Sequence, residues 1–485
     1  MLNYIWLGLI LLAVILGGCL GNLEAVTDKS FELAKYAVLD TAFPLLGIMA
    51  LWLGMMRVAE RAGLVTMLAR GLRPVMRWLF PDVPPEHPAM GSMVLNIAAN
   101  MLGLGNAATP LGLRAMRDLD SLNPRPGTPT NAMCMFLAIN TSSVQLIPVT
   151  AIAILAANQS KNPTAIVGTS ILATACAALS AVTMAKLLAR LPVFRLSSAA
   201  SAPSAPMPFP SRTGLEEEAR KATSSPQASP PEQERGVGPR LAPLGRSSPP
   251  PSPGAPTLRE SAALPPIQFW GVAVLIAFGM FFLWLFVKMT FPAALGYAAP
   301  PDSTNQTVFI RIVDAISKLS VPFLLSFFPL YAALRRQKVY EDFVDGAKEG
   351  FEVAIRIIPY LVAILVAIGM FRASGGIDVL RQKLGPAMLA VGFPPDLLPL
   401  VLMRPLSGSG TLGVFTELVK NVGPDSLVAR TAGTIYGSTE TTFYVLAVYF
   451  GSVGVKKARY SLLAGLTADF VGVVASVIIC RLVFS

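Results

Sequence analysis

The sequence predicts an all-α integral membrane protein built from two related sets of transmembrane and broken or re-entrant helices. Three observations predict it. Only 14% of the 485 residues are charged and 53% are hydrophobic, against about 25% charged in a soluble domain. Long uncharged runs recur, several reaching the roughly 20 residues that a helix needs to cross the hydrocarbon core. Their lack of a polar face argues against a soluble helical bundle.

The first run, Tyr4–Leu20, has no basic stretch before it and reads as a retained membrane helix rather than a cleaved leader. An amphipathic stretch, Asp28–Val38, leads into Phe43–Met56. A basic, proline-punctuated segment follows, with Arg70, Arg73, Arg77, Pro81, Pro84, Pro85 and Pro88. Met90–Met116, Ala132–Ala157 and Ala165–Leu188 complete a first unit at residues 1–195. Residues 196–264 change abruptly to Pro, Ser, Ala and Gly, a composition that cannot offset its own ordering entropy and predicts a disordered linker. A second unit, residues 265–485, holds Phe269–Val287, Val308–Leu334, Phe351–Phe371, Leu397–Val419, Thr431–Phe450 and Ser461–Phe484. At about 20 residues per crossing this gives about ten to twelve membrane segments.

The net charge of +11 does not point to nucleic acid, because no aromatic-basic motif accompanies it. The basic residues border apolar runs, as expected of loops beside anionic headgroups. Lys186, Arg190 and Arg195 place the linker on the cytoplasmic side of a bacterial inner (plasma) membrane. The four cysteines lie far apart in apolar runs and His87 is the one histidine, so no metal site or cofactor is expected.

The two units echo each other. Gly63, Leu68, Leu72, Pro74 and Met76 match Gly375, Leu380, Leu384, Pro386 and Met388 without a gap. Phe80-Pro81 and Phe393-Pro394 follow. Repeats interrupted at corresponding positions point to a transporter-like site. Four segments put polar groups where lipid would penalise them. Asn96 and Asn100 are four apart, on one helix face, and continue through Asn106 and Thr109 to Pro110. The matching segment is Arg404-Pro405-Leu406-Ser407-Gly408-Ser409-Gly410-Thr411. A helix starting after Gly410 would aim its positive end at an anionic group, with Arg404 adding fixed charge. The later pair is Asn140-Thr141-Ser142-Ser143 with Gln145, and Ser438-Thr439-Glu440-Thr441. Glu440 is an acid inside an apolar span. Two readings stand: it carries a coupling proton or cation, or it forms a structural ion pair with Arg404. The hydroxyl residues likewise read either as a solute site or as packing glue between helices. Asp469 reads as a helix–helix hydrogen-bonding residue.

Through these motifs the first unit resembles spore maturation protein A, at Leu51-Trp52-Leu53-Gly54, at residues 99–110 and at 139–143. The second resembles spore maturation protein B, at residues 404–410 and 436–444. The resemblance implies a fusion of the two, with nucleoside-recognition, or Gate, repeats of the kind found in solute carriers.

The function expected is a permease for a small polar or ionic solute in contact with the lipid bilayer, with a homo-oligomer allowed. The alternative is a non-transporting membrane scaffold or regulator. No phosphate-binding loop is present. An enzyme is not expected: Ser409 has no base beside it in sequence, and His87 belongs to the other unit.

Overall fold

The computed structural model describes residues 2–103, 105–194, 266–297 and 306–484. The linker expected at 196–264 lies outside the described residues. Helices α1 (Leu2–Leu20), α2 (Leu23–Tyr36) and α3 (Phe43–Arg61) open the chain. Between α2 and α3, Ala37–Ala42 form a π turn. Pro44 has no N–H to return to the carbonyl one turn earlier, and the widened turn absorbs the missing bond. The amphipathic stretch is therefore continuous with the apolar one, and Leu23–Arg61 is a single candidate membrane span.

There follow α4 (Leu64–Leu79), α5 (Pro88–Met101), α6 (Gly105–Asp120), α7 (Asn131–Thr141), α8 (Val149–Ala157) and α9 (Ile166–Arg190). Helices α10 (Phe269–Thr290) and α11 (Val308–Leu334) lead to α12 (Val339–Ala373). Then come α13 (Gly376–Ala390), α14 (Leu398–Met403), α15 (Gly408–Val422), α16 (Leu427–Ser438), α17 (Thr442–Gly451) and α18 (Ser461–Phe484). Five described helices or continuous stretches are long and apolar enough to cross a membrane, and a sixth crossing arises if the pair bent by 115° at 381–403 counts as one. Most of the other apolar segments are shorter helices.

The elements α3–α9 recur as α12–α18. In both sets a long helix ends at a glycine in the left-handed region, Gly63 at φ +82° and Gly375 at φ +86°. A side chain there would be strained, which is why these two glycines anchor the sequence repeat. A helix carrying an internal proline follows, Pro74 in α4 and Pro386 in α13. Two broken hairpins and a second long helix complete each set.

The two sets run in opposite directions. In the α3–α12 pair, Gly54 lies by Phe343 and Ala50 by Gly350. In the α9–α18 pair, Ala177 lies by Gly472, and the Phe194 carbonyl accepts from Arg459. Each pair is antiparallel and joins equivalent helices, so the repeat is inverted, with its pseudo-two-fold axis between them. Small residues allow the approach: Gly346 and Gly350 share one face of α12 against α3. The outside is apolar. Along α10 only Gly271 and Thr290 are buried, and its phenylalanines pack on α11 through Phe278–Phe323 at 5.6 Å. A surface of this kind requires lipid as its solvent.

Candidate functional site: four helix breaks

Each repeat contains two breaks, and each break leaves helix-end carbonyls in the apolar interior. In the first repeat α5 stops at Met101 and Gly103 turns the chain at φ +77°. Asn96 Nδ2 donates to the Ala108 carbonyl at 2.8 Å, tying α5 to α6. Asn100 Nδ2 donates to Asn140 Oδ1 at 3.0 Å, and Asn140 Nδ2 donates to the Phe136 carbonyl at 2.9 Å. Tyr449 OH lies 3.5 Å from the same Asn140 oxygen. The Asn96–Asn100 face thus reaches the second break of its own repeat, and α17 of the other repeat lies against it. The Asn106 side chain lies outside the described residues; Thr109 is half-buried in α6.

The second break follows α7. Ser143 is held at φ +43°. Thr141 and Ser142 turn their hydroxyls back to the carbonyls of Ala138 and Ile139. The end of α7 is capped from α9, where Thr174 Oγ1 lies 2.6 Å from the Ser143 carbonyl and 3.2 Å from that of Ser142. Gln145 is half-buried beside this turn.

In the second repeat α15 begins at Gly408, earlier than the start expected after Gly410. Ser407 is its N-cap and accepts from Gly410 N–H at 3.0 Å, so one donor of the expected anion cradle is already used. Thr411 donates back to the Ser407 carbonyl at 2.6 Å, and Ser409 lies 3.4 Å from Ser407, oxygen to oxygen. Arg404 is buried. Its Nη2 donates to the carbonyls of Tyr436, at 2.9 Å, and Thr439, and its Nε donates to Thr439 Oγ1 at 3.3 Å. The guanidinium therefore caps the C-terminal end of α16, where a cation is favoured, and stacks on Tyr436 at 4.7 Å.

Glu440 Oε2 is 4.0 Å from Arg404 Nη2, and the Glu440 side chain is 43% exposed. Ser438 bonds the Ile435 carbonyl and lies 3.3 Å from Ser476. Thr441 is buried and its N–H reaches Glu440 Oε2 at 3.1 Å. Thr442 donates to Asp469 Oδ2 at 2.6 Å, joining α17 to α18. Asp469 Oδ1 has no hydrogen-bond partner among the described residues.

Three backbone hydrogen bonds connect the four breaks. Leu146 N–H donates to the Met101 carbonyl at 3.1 Å, and Phe443 N–H to the Pro405 carbonyl at 3.0 Å. These are equivalent bonds, one in each repeat. Glu440 N–H donates to the Thr141 carbonyl at 2.9 Å, which joins the repeats at their second breaks. Of the residues singled out from sequence, Asn100, Asn140, Thr141, Arg404, Thr439, Glu440 and Thr441 meet around this chain of bonds. Asn96, Ser407 and Thr411 brace the helices beside it. Thr174 and Tyr449 were not foreseen. Neither was the ion pair of partly exposed Arg372 with buried Glu417, at 2.5 Å, whose one signal was an acid within the apolar run Leu397–Val419.

Inverted repeats, lipid-facing helices and interrupted segments that meet inside the bundle define a multi-pass membrane protein of the Gate class. The family pattern described as Gate, nucleoside recognition, matches residues 42–158 and 354–456, one match within each repeat. Spore maturation protein B of Bacillus subtilis is 47% identical over 175 residues, 36% of this chain and 98% of that protein. Spore maturation protein A of the same organism is 44% identical over 182 residues, 38% of this chain and 92% of that protein. Inner membrane protein YjiG of Escherichia coli is 30% identical over 84 residues, 17% of this chain and 55% of that protein. No solved structure matches the chain. The chain belongs to the spore maturation A/B family of Gate membrane proteins and joins both types in one polypeptide.

Proposed function

We propose that this chain is a permease for a small polar or ionic solute, with Glu440 carrying a coupling ion and with the A-type unit preceding the B-type unit. One observation carries the reading: the four breaks are tied together, and the half-exposed carboxylate of Glu440 sits at the bond that joins the two repeats. A carboxylate inside a membrane bundle that is neither buried nor tightly paired is suited to exchanging a proton or cation. A cation on Glu440 would leave the Arg404 charge unbalanced and draw an anionic group of the solute to the same junction, so that one binding event favours the other. Asn100, Asn140, Gln145, Ser409 and Thr441 would supply the uncharged contacts. The bacterial inner membrane, with residues 196–264 on the cytoplasmic side, fits the basic residues at the end of α9.

The family description makes nucleosides the first solutes to try, followed by divalent metals and organic anions. Purified full-length protein should gain thermal stability with a solute that it binds. A flat response across all three classes would favour the scaffold role. In proteoliposomes, Glu440→Gln should abolish uptake of the stabilising solute while insertion and melting stay as in the parent. Full uptake by that variant would remove Glu440 from coupling.

A further inference from the structure

The last helix carries an acid that the coupling role given to Glu440 does not use. Asp469 lies on the buried face of α18 and is only 5% exposed. Thr442 Oγ1 donates to its Oδ2 at 2.6 Å, and its Oδ1 has no hydrogen-bond partner among the described residues. An asparagine would accept the Thr442 bond equally well. The negative charge is therefore what needs a cause, because a buried carboxylate with a bare oxygen is costly unless a cation meets it.

The neighbours supply lone pairs. Gly465, one turn before Asp469 on the same face, lets α7 and α17 approach α18. A Cβ there would lie 3.2 Å from Thr141 Oγ1 and 3.4 Å from Thr442 Oγ1. Thr141 donates its hydrogen to the Ala138 carbonyl, and Thr442 gives its own to Asp469. Each hydroxyl is left with lone pairs, which can ligate a cation and cannot satisfy the second carboxylate oxygen. The charged side chains whose fields reach Asp469 are Arg404 and Glu440. Those two already face each other at 4.0 Å, so Asp469 is the negative charge left over.

We propose that Asp469, with the hydroxyls of Thr141 and Thr442, binds a sodium ion where the second breaks of the two repeats meet α18. With one carboxylate to balance, the ion carries a single charge, and an all-oxygen donor set suits a hard cation. The first repeat shows that this position need not be charged. Ala177 of α9 and Gly472 of α18 lie against each other, and Thr174 and Asp469 each stand three residues before them. Thr174 fastens its break with a hydroxyl alone. The site does not depend on the permease reading: it requires only that the ion binds, and it leaves Arg404 and Glu440 balanced against each other.

Thermal unfolding of the full chain in detergent, in sodium chloride against choline chloride at equal ionic strength, tests this. Sodium should raise the wild-type melting temperature in a saturable way. Asp469→Asn should lose that rise and, in choline, melt no lower than the wild type, since it keeps the acceptor for Thr442 without the buried charge. Thr141→Ala should need several-fold more sodium for the same rise, and Glu440→Gln should keep the wild-type response. A wild type that melts alike in both salts overturns the site, and so does a sodium rise that survives Asp469→Asn. A rise lost in Glu440→Gln and kept in Asp469→Asn would move the ion to Glu440, overturning this site while supporting the coupling role. If acidification in choline stabilises the wild type but not Asp469→Asn, and sodium adds nothing, the ligand is a proton and the sodium reading is overturned.

Discussion

The second breaks of the two repeats solve one problem with different chemistry. A half-helix that ends inside a membrane bundle must have its last carbonyls bonded by something. After α7, the donor is the neutral hydroxyl of Thr174, reaching across from α9. After α16, it is the guanidinium of Arg404, held by the preceding break of its own repeat. The first solution shows that a neutral group suffices to end such a helix. The charge of Arg404, and of Glu440 beside it, is therefore more than the fold requires. Burying an ion is costly, and this surplus of charge over structural need in the second repeat is what the proposed permease function draws on.

The comparison predicts unequal costs. Arg404→Met leaves two buried carbonyls and Thr439 Oγ1 without their donor, and should destabilise the protein by about 3 kcal/mol, read by unfolding in detergent. Arg404→Lys should recover little, because a single ammonium does not reproduce the planar fork. If Arg404→Met melts like the parent, the guanidinium is not the cap of α16. Thr174→Val should cost about 0.6–1 kcal/mol, the usual scale for an interhelical hydroxyl bond in a membrane protein. A Thr174→Val loss as large as that of Arg404→Met would erase the distinction between the two solutions.

Much of this was legible in the chain itself. The spacing of Asn96 and Asn100 fixes a shared helix face, and the ungapped match of Gly63 to Gly375 marks a backbone conformation that both repeats need. Glu440 and Arg404 are conspicuous because charge in an apolar run is rare. Other features had a weaker signal or none. Thr174 lies in a helix rich in small residues and reads as packing; its role exists only once α9 lies across the end of α7. The early start of α15 was signalled by Ser407, an N-cap residue, yet the glycines that follow made a later start look natural. The inversion was invisible, because a sequence repeat carries no direction relative to the membrane. Arg404's bonds to Tyr436 and Thr439 depend on how two breaks meet, which spacing along one of them does not determine.

The inverted pairing repeats the contrast at the loops, where a smaller effect is expected. Asp425, between α15 and α16 and outside the membrane-spanning segments, binds Ser160 Oγ at 2.8 Å and Lys161 N–H at 3.0 Å in the α8–α9 loop. The equivalent contact, between the α6–α7 and α17–α18 loops, is built on Arg459, which donates to the Pro129 carbonyl at 2.8 Å. One fastening is built on a carboxylate and the other on a guanidinium. Burial alone would raise the Asp425 pKa, but the Lys161 N–H, the Ser160 hydroxyl and Arg430 together hold it below the usual carboxylate value. A depressed folded value means that the contribution is complete above the unfolded value of about 4 and is lost as pH falls through the folded one. Below about pH 4, hydrogen exchange at 158–162 and 423–426, corrected for intrinsic rate, should rise, while 121–130 and 452–460 keep their protection. Asp425→Asn should remove that pH dependence and leave the Arg459 side unchanged. If both loop pairs loosen together, the acid is not what distinguishes them, and the two faces of the inverted repeat are held by the same kind of contact.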